Sequence, residues 1–240
     1  MFNDNYDNII YNAEIDSDSP RISQPIKIKK ELKPHQLACV FKATMMENNR
    51  KIKYSGGEEV ESNIGILGDI VGYGKTLTAL SIIAHNKLDN IYINDKKITS
   101  CNSNKKYNYF KLTTNNKNAP VFNNMINSTL IIVPRGPVYV QWERTLREQT
   151  ELKYLAIDNL NFINKNMPKY NGDYNEIIEY FNQFDAVLIK NTTLTTLFKY
   201  YDPYYTNLYK ELKHSSYIYN WKRVIIDECH DIINKIETLS

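Results

Sequence analysis

Cysteine is scarce in this 240-residue chain: Cys39, Cys101 and Cys229 stand far apart, and no Cys-x-x-Cys pair occurs. That spacing argues against the common zinc frameworks and a disulfide scaffold, and it suits a reducing compartment. Long apolar runs are missing too. No stretch approaches the roughly 20 residues of a membrane helix, and the opening MFNDNYDNII lacks the basic-then-apolar order of a secretion signal. The expectation is an intracellular protein with no membrane partner. Charge of one sign is also lacking: a net +3 with a pI near 8.5 does not by itself indicate nucleic acid, which requires a localised basic face. Glycine numbers only eight, yet two fall within three residues, at Gly72 and Gly74. What is abundant is Asn, Lys, Ile and Tyr (19 Tyr), the residues of AT-rich codons, as in a large DNA virus.

Regularity is uneven along the chain. Residues 1–25 are polar and acidic and read as a loosely held tail. From Ile26 the text turns basic, IKIKKELKPHQ, where Lys27, Lys29, Lys30 and Lys33 form either a solvated face or a stripe facing DNA. Leu37, Val40, Phe41 and Met45 then recur at helical spacing, and a turn-rich connection surrounds Gly56-Gly57. Ile64 to Gly68 reads as a buried strand, followed by the glycine loop and a helix over 76–85. Residues 86–127, rich in Asn and Lys without a sustained period, read as an insertion, either disordered or a loose hairpin. Thr129–Val133, Ala186–Ile189 and Arg223–Ile226 read as strands, and 138–148 as a helix with Tyr139, Trp142 and Leu146 on one face. Short apolar strands alternating with helices predict an α/β fold: a mostly parallel sheet with helices on both faces.

Two patterns carry chemistry. In Asp69-Ile-Val-Gly-Tyr-Gly-Lys-Thr76, the small residues Gly72 and Gly74 let backbone N–H groups converge on an anion, and the following helix points its positive end at the same place. Lys75 is placed to neutralise the β- and γ-phosphates of ATP, and the Thr76 hydroxyl to complete a Mg²⁺ shell. The strict phosphate-loop pattern wants glycine where Asp69 stands, so alone the stretch also reads as a glycine turn. The second pattern is Trp221-Lys-Arg-Val-Ile-Ile-Asp-Glu-Cys-His230, an apolar strand delivering two carboxylates at its C-terminal end, where parallel sheets bind ligands. Asp227 can hold Mg²⁺ through water, and Glu228 can polarise the attacking water.

Together these motifs resemble the SNF2 (SWI/SNF-like) group of superfamily 2 helicase-related ATPases. That group reads Asp-Glu-x-Gly-x-Gly-Lys-Thr at its phosphate loop; here Asp69, Gly72, Gly74, Lys75 and Thr76 stand in register, with Ile70 in place of Glu. The resemblance implies a RecA-like lobe over 26–240 in which Gly68, Asp69, Ile70, Val71, Gly72, Tyr73, Gly74, Lys75 and Thr76 line the nucleotide. Leu32-Lys-Pro-His-Gln36 is similar to the group's glutamine motif and gives Gln36 the adenine edge. Leu130-Ile-Ile-Val-Pro134 with Gln141-Trp142 is similar to its next motif, which implies a nucleic-acid backbone contact at Arg135. Trp142 itself reads as core packing rather than a stacking platform. Lys190-Asn191 replaces the usual threonine pair, leaving Lys190 as a phosphate contact. Asp-Glu-Cys-His stands for the usual Asp-Glu-Ala-His, so His230 is implied to couple the nucleotide site to its neighbour, with Asn234 also matching.

The implied activity is ATP hydrolysis of the helicase type, with ATP and Mg²⁺ as cofactors and double-stranded DNA as the track. In this group a second RecA-like lobe closes the cleft and supplies arginines. The chain ends ten residues after His230, so the expectation is one lobe that binds nucleotide weakly and turns it over slowly or not at all. A non-catalytic lobe that binds a partner or nucleic acid is the competing reading. A P-loop kinase of small molecules fits the glutamine motif and the Asp-Glu-x-His box less well. The implied location is intracellular: the nucleus, or a viral factory or virion for a viral source.

Overall fold

The computed structural model describes residues 15–49, 51–53, 59–61, 65–70, 72–86, 96–101, 109–114, 125–169, 175–201 and 220–229. The elements in chain order are α1 (Pro34–Asn49), β1 (Lys51–Lys53), β2 (Glu59–Glu61), α2 (Lys75–His85), β3 (Lys96–Cys101), β4 (Tyr109–Thr114) and β5 (Met125–Val133). They continue as α3 (Pro137–Gln149), β6 (Tyr154–Ile157), α4 (Leu160–Asn166), α5 (Asn175–Asn182), β7 (Ala186–Lys190), α6 (Asn191–Tyr201) and β8 (Asn220–Ile226).

Four strands form one parallel sheet in the order β6-β7-β5-β8. Thr129 lies opposite both Ala186 and Arg223, and Ile132 opposite both Ile189 and Ile226. Because side chains alternate along a strand, the sheet feeds two cores. Ile131, Val133, Ala186 and Leu188 pack with Leu77 and Leu80 of α2 and with Tyr139, Trp142 and Leu146 of α3. Leu130, Ile132, Val187 and Ile189 face the other way, onto Ile163 of α4, Ile177 and Phe181 of α5 and Leu197 of α6. Both faces are covered, as the apolar, non-alternating strands require. The expected α/β architecture is the observed one.

Local chemistry explains the helices that frame the site. α2 is buried from Leu77 through Ile83, so its polar groups must be satisfied internally. The Thr78 hydroxyl donates to the Gly74 carbonyl (3.2 Å), and that of Ser81 to the Leu77 carbonyl (2.7 Å). α3 opens on Pro137 behind Gly136, whose φ of 89° is a glycine conformation. Its buried residues Tyr139, Trp142, Thr145 and Leu146 recur at helical spacing.

Several expectations are corrected. Gly65 to Ile70 forms no strand, and Ile66 (86% exposed) and Ile70 (67%) face solvent. An apolar run specifies extended backbone but not the partner edge that makes a strand, and two internal glycines weaken it further. Within 86–127, β3 and β4 pair antiparallel from Lys96↔Thr114 to Cys101↔Tyr109, so the hairpin alternative describes these residues. Asn86 caps α2, its N–H donating to the Ile82 carbonyl, and β5 already begins at Met125; both ends of that range belong to the lobe. The tail also ends sooner than expected. Gln24 donates to the Ile28 and Lys30 carbonyls and accepts from the Leu32 N–H (3.0 Å). Lys27 pairs with Asp185 (2.7 Å), and Ile28 bridges Thr150, so the basic run is strapped to α3. Residues 1–14 lie outside the described residues. No helix among the described residues is long and apolar enough to cross a membrane.

Candidate nucleotide site

The glycine loop is shaped from within and braced from α1. Gly72 and Gly74 have φ of 91° and 85°, a left-handed conformation that side chains disfavour. Gly74 has a second constraint: a Cβ there would sit 2.7 Å from Nε2 of Gln36. Gln36 is buried (4% exposed); its Oε1 accepts from the Lys33 N–H (2.9 Å), and its Nε2 donates to the Gly74 carbonyl and the Thr78 hydroxyl, both at 3.3 Å. The His35 ring approaches the Tyr73 carbonyl at 3.3 Å and lies 5.3 Å from the Tyr73 ring. One turn of α1 therefore fixes the bend.

Lys75, the first residue of α2, folds back over its own loop. Its Nζ donates to the carbonyls of Asp69 (2.7 Å) and Ile70 (3.4 Å). Thr76 follows half-buried, Gly68 is exposed, and Val71 lies outside the described residues. The positive end of the 11-residue α2 opens at this bend. Two left-handed glycines, an ammonium and a helix N-terminus make a donor set that suits a triphosphate.

The acidic pair is built on β8. The Asp227 N–H donates to the Ile132 carbonyl (3.0 Å), extending the ladder one residue past the strand. Its Oδ2 accepts from the indole Nε1–H of Trp142 at 2.7 Å, and its Oδ1 from the Glu228 N–H at 3.1 Å. Each oxygen retains a second lone pair, which suits a Mg²⁺ ion held through water and shared with phosphates. Glu228 has φ of 51° and an exposed side chain. His230 and Asn234 lie outside the described residues.

The two halves meet through the core. Lys75 and Asp227 have different partners, the loop carbonyls and Trp142, while Leu77, Leu80 and Trp142 share one buried cluster. The sequence reading of Trp142 as core was incomplete: it is 2% exposed and bonded to an acid of the site. A signal was available, since a buried indole N–H needs an acceptor.

The expected nucleic-acid contacts also sit at the carboxyl edge of the sheet. Arg135 follows β5 and is exposed. Lys190 ends β7, pairs with Asp158 and lies 4.7 Å from the centre of the Tyr139 ring. Lys190, Asp158 and Tyr139 line a cleft of about 680 Å³ between α3 and β6. Burial, reinforced by Glu143 and Tyr154, pushes the Tyr139 phenol well above its usual range, and its hydroxyl has no hydrogen-bond partner among the described residues. Asp158 was not singled out in the sequence; it follows β6, which carries no motif.

No curated protein matches the chain. A solved structure described as the Sulfolobus solfataricus SWI2/SNF2 ATPase core in complex with dsDNA is similar at 18% identity and a TM-score of 0.44. The match covers 90% of this chain and 30% of that one, so this chain spans under a third of that core's length. The family model of the SNF2-related domain matches residues 34–240, and with the braced glycine loop and the strand-end acids already in place, the chain belongs to the SNF2-related family.

Proposed function

We propose that residues 26–240 are the ATP-binding lobe of a DNA-dependent ATPase that moves on duplex DNA when a second RecA-like lobe completes the cleft. The observation that carries this reading is the Gln36–Gly74 brace, a buried carboxamide holding a left-handed glycine bend at the start of a helix. In this reading Lys75 leaves the Asp69 carbonyl to meet the phosphates, and Gln36, to which the resemblance gives the adenine edge, keeps the loop braced. Asp227 and Thr76 hold Mg²⁺, Glu228 orients the attacking water, and His230 links the site to its neighbour. The metal would stabilise charge developing on the transferred phosphoryl group.

Support for a shared rim comes from the far end of α2. Arg223 donates to the Asn86 carbonyl at that end (2.9 Å), and Asp227 stands four residues further on, just past the end of β8. An 11-residue helix is about 16 Å long, so in this reading α2 runs back over the sheet and would bring Lys75 toward the carboxyl edge. Family membership supports DNA as the track, with Arg135 and Lys190 as backbone contacts. Residues 87–124 are in this reading an insertion in the lobe. Such a reaction runs where DNA is handled, in the nucleus or a viral factory.

The test is ATP turnover with and without double-stranded DNA, for the chain alone and mixed with a second lobe from a family member. DNA-stimulated hydrolysis in the mixture, lost in Lys75→Ala and Glu228→Gln, is expected. Nucleotide binding unchanged by Lys75→Ala would sink the loop assignment. Binding without turnover in every mixture would favour the non-catalytic alternative.

A further inference from the structure

The Trp142–Asp227 bond joins two parts of the molecule that the motifs treat separately. Asp227 is held by its own backbone on β5, by the Glu228 N–H on one oxygen and by the Trp142 indole on the other. Of these, only the indole comes from a separate helix. Trp142 sits in α3, whose first turn follows directly from Arg135 and Gly136. The ring is 2% exposed and belongs to the buried cluster that holds Leu77, Leu80, Val133, Leu146 and Leu188, so close packing restrains its N–H direction. A donor this rigid, 2.7 Å from a carboxylate, sets which lone pairs of Asp227 remain for another ligand.

We propose that Trp142 is a positioning residue for the acidic pair: its indole N–H orients the Asp227 carboxylate toward Mg²⁺ and couples that carboxylate to α3. The proposal rests on the reading that Asp227 meets the metal of a bound nucleotide. It differs from a packing role in one respect. A phenylalanine retains much of the buried ring contact but has no donor, so the carboxylate keeps the Glu228 N–H on one oxygen and loses its fixed partner on the other.

The experiment measures binding of a fluorescent ATP analogue to the whole chain, titrated in excess EDTA and in excess Mg²⁺. Trp142→Phe is expected to bind as the parent does in EDTA and to lose about tenfold of the Mg²⁺-dependent gain, the size of losing one hydrogen bond to a charged group. A second measurement does not depend on that variant folding. In a Trp221→Phe background Trp142 is the remaining tryptophan, and its emission should change on adding Mg²⁺ with ATP, less with ATP in EDTA, and not at all when Asp227→Ala is added. An Mg²⁺-dependent gain retained in Trp142→Phe, or Trp142 emission indifferent to Mg²⁺ in the Trp221→Phe background, overturns the proposal. Failure of the parent chain to bind nucleotide at all overturns the underlying assignment of the site instead, so the two failures are told apart.

Discussion

Arg223, in the middle of β8, grips Glu47 near the end of α1 through two hydrogen bonds, Nε to Oε1 at 2.5 Å and Nη2 to Oε2 at 2.7 Å. The same guanidinium donates to the Thr129 hydroxyl (3.2 Å) and the Asn86 carbonyl (2.9 Å), and the Asn86 amide returns to Glu47 (2.8 Å). One planar fork thus ties α1, the foot of α2, β5 and β8 together. The Arg223 side chain is only 10% exposed, so deleting its counter-ion leaves a poorly solvated cation. Glu47→Ala should destabilise the fold by about 2 kcal/mol, below the full cost for buried pairs because Glu47 is partly solvated. Thermal and urea unfolding check this; a loss under half that size would show that the remaining bonds suffice.

The two loop glycines should respond differently to alanine. At Gly72 an added Cβ meets nothing within 4 Å, so only the left-handed backbone resists it, by about 1 kcal/mol. At Gly74 the same backbone penalty adds to a 2.7 Å approach to Gln36 Nε2. Gly74→Ala should therefore lose more stability and displace Gln36. Equal unfolding midpoints for the two variants would contradict the brace.

Cys39 is shielded by burial, with Asp69 adding to the effect and Lys42 opposing it; its thiol is pushed up to about 11. The folded state holds the proton more tightly than the unfolded chain does. Its stabilising contribution is therefore complete below the ordinary thiol range near pH 8.5 and is lost as pH rises toward 11. Cys39→Ala should lose less stability than the parent between pH 8 and pH 10. At pH 8, peptide-resolved alkylation should mark the exposed Cys229 well before Cys39.

Asp158 competes for the cation that a DNA backbone would need. Lys190 pairs with it at the mouth of the cleft, where Asp158 is half exposed. Asp158→Asn should raise affinity for double-stranded DNA a few-fold at low salt and steepen the salt dependence, because a released lysine adds a phosphate contact. Lys190→Ala should do the reverse. Unchanged binding in both variants would remove Lys190 from the DNA surface.

What the sequence determined alone is what short-range pattern encodes. The apolar runs of β5, β7 and β8, the 3–4 spacing of Tyr139, Trp142 and Leu146, and the glycine-lysine bend ahead of α2 are local signals, and each appears within a few residues of its reading. Six elements were not read: β1 and β2, three residues each, β6, four residues long, and α4, α5 and α6, which are ordered by packing on the second sheet face. The run before the loop was read as a strand but lacks one, because a strand is completed by a neighbouring edge rather than by its own side chains. Only the tertiary structure paired Trp142 with Asp227, 85 positions apart, and Glu47 with Arg223, 176 apart. Periodicity extends over a turn or two of chain, whereas a buried donor or charge takes whatever acceptor the assembled core brings within about 3 Å.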